Sequence, residues 1–251
     1  MSKQDRKDEE LDEALKWAVQ RMKDSGYPIK SEVRLIVDPK LPFMGYAREK
    51  DGVQYIVASE WALDSEMLGG FLIHELAHIY ASEKGMPSHS VDIIDELVDE
   101  YKTREGLNER ETTYLLDAFS HLQNIIVDDI VFEVMSEREK KLAQKFFLSW
   151  ITEKPSGDPL VDASSLIRNA FALASLKRRG LLGDDSVIKV ANEEFLSHMR
   201  SSARASFTAI ERFLENVKAD SDVEEFKKVL RNYFEMVISI ARDRPQLEDF
   251  R

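Results

Sequence analysis

His74-Glu75-Leu76-Ala77-His78 is the stretch that most narrows what this chain of 251 residues can fold into. Residues four apart on an α-helix share one face, so His74 and His78 can turn their imidazoles toward a single ion, with Glu75 beside them. An HExxH helix is a zinc-site pattern in which the glutamate takes a proton from water at the metal. The flanks suit a buried helix, because Phe71-Leu72-Ile73 precede the motif and Ile79-Tyr80 follow it. The plainer alternative is a pair of helix histidines that only satisfy hydrogen bonds.

Composition removes several other classes. A net charge of −12 argues against nucleic acid and anionic membrane as partners, since both call for a basic face. The one basic cluster, Lys177-Arg178-Arg179 before Gly180, reads as the decoration of a helix C-terminus. With no cysteine there are neither disulfides nor thiolate metal sites. The N-terminus is charged and has no apolar signal core, and no run approaches the length of a membrane span, so the cytoplasm is the simplest location.

Periodicity gives the layout. Helical apolar spacing over residues 11–22 stops at Gly26-Tyr27-Pro28. Three β-prone runs follow at 33–37, 43–48 and 53–58, with Asp51-Gly52 as a hairpin turn between the last two. Asp64 or Ser65 is the expected cap of the motif helix, and Gly85-Met86-Pro87 ends it. Everything beyond is helical: 90–103, a helix from Asn108 past Glu133 opened by a capping box with Glu111, then 163–179, 187–199, 203–217, and a last helix behind Ser221 and Glu224. The expectation is an α+β, mostly α-helical chain with a small N-terminal sheet packed on the HExxH helix, followed by a helical bundle. Pro155-Ser156-Gly157-Asp158-Pro159 suggests a boundary between a first domain at 1–152 and a helical region at 153–251.

A helix, a small sheet and then a helix bearing HExxH resembles the zincin metallopeptidases over roughly residues 10–135. That resemblance implies an edge strand just before the motif helix, here 53–58, able to bind an extended peptide by strand addition; the alternative is an ordinary inner strand of a small sheet. The continuation toward a third histidine found in metzincins is absent, because Ala81 and Lys84 stand at its glycine and histidine positions. Glu96 and Asp95 have tolerable spacing for the third ligand of a gluzincin. However, they lie opposite the apolar stripe of Ile94, Leu97, Val98 and Tyr101.

A stronger third-ligand candidate comes from the stripe Ala118, His121, Ile125, Asp128 and Phe132, whose steps of three and four place a histidine and an aspartate on an interior face. Polar groups there are costly unless paired or bound to metal. Asn124 flanks that face and can orient the carboxylate, whereas Asp129 is turned away. The segment Asn124-Ile-Ile-Val-Asp128 also resembles the Asn-x-x-x-Asp helix of some poorly characterised HExxH proteins, which implies that Asp128 completes the site. Asp128 is therefore the leading third ligand, with His121 and Glu96 as alternatives. His121 can also serve as an oxyanion donor or as a core histidine. His89 reads as a surface loop residue, His198 as an ordinary helix residue, Tyr80 as core or cleft lining, and Asp8-Glu9-Glu10 as a solvated helix start.

The function expected from this set is a zinc-dependent metallopeptidase acting on a peptide or protein substrate, with His74, His78 and Asp128 on Zn²⁺ and Glu75 as general base. One alternative is a zincin-fold binding or regulatory protein of little activity. Another is a di-iron carboxylate bundle, which needs a second Glu-x-x-His element; Glu194 and His198 are four apart rather than three.

Overall fold

The structure is a computed structural model describing residues 3–183 and 186–243. Among these residues a three-stranded sheet near the N-terminus is surrounded in sequence by ten α-helices, an α+β and mostly helical arrangement as expected. Contacts divide the chain into one unit of residues 1–89 and 127–143 and a second of 90–126 and 144–251. The division falls inside a helix rather than at the proline-rich stretch, and 155–159 lies within the second unit. A boundary made by long-range packing leaves no composition signal for a sequence reading to find.

In the first unit, α1 (Lys3–Asp24) begins earlier than its apolar spacing suggests, with Glu9 and Glu10 exposed on a solvated turn. Its buried Leu15, Ala18 and Met22 form the core face, which packs on α3. Strands β1 (Val33–Val37), β2 (Gly45–Lys50) and β3 (Val53–Ala58) follow. Asp51 and Gly52 both take positive φ, 54° and 76°, as a two-residue turn requires when its twist must match the strands.

The strand order is β1-β3-β2, with β1 parallel and β2 antiparallel to β3. The strand at 53–58 is therefore the inner strand of the two alternatives and not the edge strand that the resemblance implies: β3 is the middle strand and β2 an edge. The burial of Ile56, Val57 and Ala58 is the physical reason, since a strand flanked on both sides accommodates a continuous apolar run.

A short helix not evident from the pattern, α2 (Glu60–Leu63), is capped by Ser59. Asp64 closes α2 instead of opening the motif helix, which runs as α3 (Leu68–Glu83) from Met67 without a side-chain cap. Gly45 lets β2 approach α3 closely: a Cβ there would run into the Val57 carbonyl oxygen and the Phe71 ring.

The second unit holds α4 (Val91–Glu105), the first part of α5 (Glu109–Val134), and most of α6 (Glu137–Trp150). It continues through α7 (Pro159–Arg178), α8 (Val187–Ser197), α9 (Ser201–Glu215) and α10 (Val223–Asp243). Asn108 and Glu111 form the anticipated capping box, each side chain accepting the other's backbone N–H at 3.0 and 2.9 Å. Ser136 and Glu139 form another that starts α6. Ahead of α10 the cap is Asp222, which accepts from the Glu225 N–H at 2.9 Å, rather than Ser221. Arg179 bonds the Ser175 carbonyl near the end of α7, Arg178 bonds the Glu215 carbonyl at the end of α9, and Gly180 follows with φ 66°. Among the described residues no helix is long and apolar enough to cross a membrane.

Because the Gly45 clash involves a backbone carbonyl that cannot swing aside, Gly45→Ala should destabilise the protein by roughly 1–3 kcal/mol, the usual range for overpacking. A lower urea midpoint than wild type checks this; an unchanged midpoint would show that Gly45 is not so closely packed against Val57 of β3 and Phe71 of α3.

Candidate metal-binding site on the HExxH helix

Helix α3 is buried on nearly all sides by Phe71, Leu72, Ile73, Leu76, Ala77, Ile79 and Ala81, while His74 and His78 form a half-buried stripe. Their rings lie 4.8 Å apart and nearly perpendicular, and the two Nε2 atoms are 3.2 Å apart. Two nitrogens bound to one tetrahedral zinc at its usual bond length stand about 3.4 Å apart, so this pair fits a shared ion. Glu75, 6% exposed, is the buried acid of the helix. Burial pushes its carboxyl pKa up, while His74 and a hydrogen bond from the Ala47 backbone N–H in β2 hold it down in part.

Asp128 comes to the motif from α5, as its interior stripe implies, and is 3% exposed. Its Oδ1 lies 3.3 Å from Nδ1 of His74, the ring nitrogen facing away from His78. This is the geometry of a carboxylate that orients an imidazole through Nδ1 and leaves Nε2 turned toward His78. Among the described residues no group of three or more His, Asp or Glu side chains is arranged to hold an ion. The chain segment that carries Asp128 is tied to the first unit by Arg21 Nε, which donates to the Val134 carbonyl at 2.9 Å. Tyr27 adds a hydroxyl bond to Glu133 at 2.6 Å.

His89, expected on the surface, joins the site instead. Gly85 adopts φ 65° after α3, and Met86 N–H bonds back to the Ala81 carbonyl at 3.0 Å, reversing the chain. The single 3₁₀ turn Pro87–His89 then folds onto α3 and puts His89 Nε2 2.9 Å from His78 Nδ1. Desolvation, with a smaller contribution from His74, pushes the His89 pKa down to about 4. The glycine followed two residues later by proline is the sequence signal that could have placed this turn. Tyr80 is half-buried and packs edge-on against Tyr27 with ring centroids 5.3 Å apart.

The other candidates are engaged elsewhere. Glu96 pairs with Lys227 at 2.6 Å in the second unit, and Asp95 is exposed. His198 pairs with Glu194 on the same stretch of chain at 3.1 Å, an ordinary i,i+4 contact. His121 stacks on Phe171 at 5.0 Å within the second unit, and its Nδ1 is buried without a hydrogen-bond partner. Desolvation first, then the Arg168 charge, pushes its pKa from an ordinary 6.5 down to about 4.

His121 thus stays neutral in the folded state where the unfolded chain already takes up a proton. Stability tied to it is complete above pH 6.5 and is lost as the pH falls toward 4. In urea titrations across that interval the midpoint of His121→Phe should fall less steeply than that of wild type. Parallel curves would show that His121 titrates like a solvated histidine.

Comparison with curated proteins and with solved structures finds no match. A family described as "Family of unknown function (DUF5781)" matches residues 21–236. Spanning most of the chain, from α1 into α10, that match shows that the protein belongs to the DUF5781 family.

Proposed function

We propose that the protein is a cytoplasmic zinc-dependent metallopeptidase whose site is built on α3. The observation that carries this reading is the pair of facing Nε2 atoms of His74 and His78, 3.2 Å apart beside a buried glutamate. His74 and His78 would hold the ion, and Asp128 would fix the ring of His74 through Nδ1. When bound, zinc supplies Lewis acidity that polarises a peptide carbonyl and acidifies water. Glu75 takes a proton from the water that attacks the carbonyl carbon. It returns that proton to the leaving nitrogen as the C–N bond breaks. An extended substrate would lie along the edge strand β2, whose Ala47 N–H already reaches Glu75.

That same Ala47 bond favours a second reading, in which Glu75 anchors β2 and the protein binds metal and a partner without turnover. Glu75→Gln separates the two, since the amide can still accept from Ala47 but cannot take a proton. Elemental analysis of wild type and Glu75→Gln should each give about one zinc per chain, with His74→Ala losing it. Cleavage of a peptide library by Glu75→Gln should fall by about 10²–10⁴-fold. Zinc binding with no cleavage by wild type would support the binding protein, and no zinc in wild type would overturn the metal reading.

Asp128→Asn supplies a further check. Its amide oxygen still accepts from Nδ1–H of His74, so zinc should be retained at near wild-type content; complete loss would make Asp128 a ligand instead.

A further inference from the structure

A line of polar contacts runs through the site. Ser88 Oγ lies 3.0 Å from His89 Nδ1, His89 Nε2 2.9 Å from His78 Nδ1, and His78 Nε2 3.2 Å from His74 Nε2. The line ends at Asp128 Oδ1, 3.3 Å from His74 Nδ1. Each motif imidazole therefore has its outer nitrogen engaged and its inner nitrogen turned to the other.

A neutral imidazole carries one N–H, so the nitrogen that keeps the proton decides which lone pair is offered to a metal. At His74 the matter is simple: an ionised carboxylate only accepts, so the proton belongs at Nδ1 and Nε2 presents a lone pair. The partner of His78 is another histidine, which can accept or donate. If His89 donates from Nε2, His78 must carry its proton at Nε2, where it points at His74 and blocks the shared position. If His89 keeps its proton at Nδ1, its Nε2 accepts from His78 Nδ1–H and both inner lone pairs are available. A hydroxyl at His89 Nδ1 accommodates this arrangement, because Ser88 Oγ can accept as well as donate.

We infer that His89, backed by Ser88, is the positioning residue for His78. It accepts the Nδ1 proton of His78, and the second motif nitrogen is thereby presented as a metal donor. This rests on the zinc reading above. The two ligands are then oriented by unlike partners, a carboxylate on His74 and a neutral imidazole on His78. The second partner has a state that can follow the metal: taking up zinc moves the protons of His78 and His89 from Nε2 to Nδ1 in concert. The exchange is neutral overall. The His89 Nε2 proton passes to His78 Nδ1 and the Ser88 hydroxyl proton to His89 Nδ1. The His78 Nε2 proton departs to water, and water returns one to Ser88 Oγ, which then accepts instead of donating.

The test is zinc affinity of the full chain, measured by competition with a chromogenic chelator, beside each variant's urea midpoint. His89→Ala should weaken zinc binding by about 10–100-fold, the usual cost of losing such a partner. His89→Gln, whose side-chain oxygen can accept from His78 Nδ1–H, should recover most of that loss, and Ser88→Ala should bind less tightly than wild type.

Long-range ¹H–¹⁵N spectra of the zinc-loaded wild type should place the His78 proton on Nδ1, a readout that needs no variant. Wild-type affinity in His89→Ala, or His78 protonated at Nε2 with zinc bound, would overturn the inference while leaving the metal site standing. Zinc lost entirely in both His89 variants with unchanged urea midpoints would also overturn it, making His89 a direct ligand. Absence of zinc binding by wild type is a different failure, that of the metal site itself.

Discussion

Burial of polar groups on α3 is the constraint that organises the first unit. The helix that carries His74, Glu75 and His78 is otherwise apolar and enclosed, and polar atoms in such surroundings are costly unless each finds a partner. The partners come from three separate places in the chain. Asp128 reaches His74 from α5, the Ala47 N–H reaches Glu75 from β2, and His89 reaches His78 from the turn that follows α3. Each contact fixes one element against the helix, so the requirements of the polar groups and the packing of the unit are met together.

Close approach accompanies these contacts. Gly45 removes the side chain that would hold β2 away from Phe71, and Gly70 leaves room for Met135, just beyond the end of α5. At the far end of α3, Glu83 accepts backbone N–H bonds from Lys30 and Ser31, holding the chain that enters β1. The motif helix is thus gripped along its length, the kind of support a site needs if its side chains are to hold one geometry. In the second unit, the corresponding buried polar groups bond among themselves: Asn169 donates to Asn192 and to the Thr152 carbonyl.

Much of this was legible in particular residues. Asp51-Gly52 marked the hairpin, Asn108 and Glu111 marked the start of α5, and the stripe of Ala118, Ile125, Asp128 and Phe132 is buried as its spacing implies. Errors gathered where a signal had two readings. Asp64 is a good cap in composition but closes α2, and Asp222 takes the capping role that Ser221 also offered. The strand at 53–58 fits either an edge or an inner position by its pattern, and its three consecutive buried residues belong to a strand flanked on both sides. His89 stands just after Pro87-Ser88, a pattern that reads as a surface loop, and the left-handed turn at Gly85 directs it to the site.

The sequence by itself determined what depends on neighbours within a turn or two: which stretches are helix or strand, where many of them start, and that His74 and His78 share a face. Those features follow from backbone geometry, which repeats at fixed intervals and needs no distant residue. Only the tertiary structure decided the strand order and the arrival of His89. It also decided that Asp128 meets the outer nitrogen of His74 and that Glu96 and His121 are engaged in the second unit. Such outcomes turn on which buried groups reach one another across long stretches of chain, and side-chain spacing along the sequence carries no record of that distance.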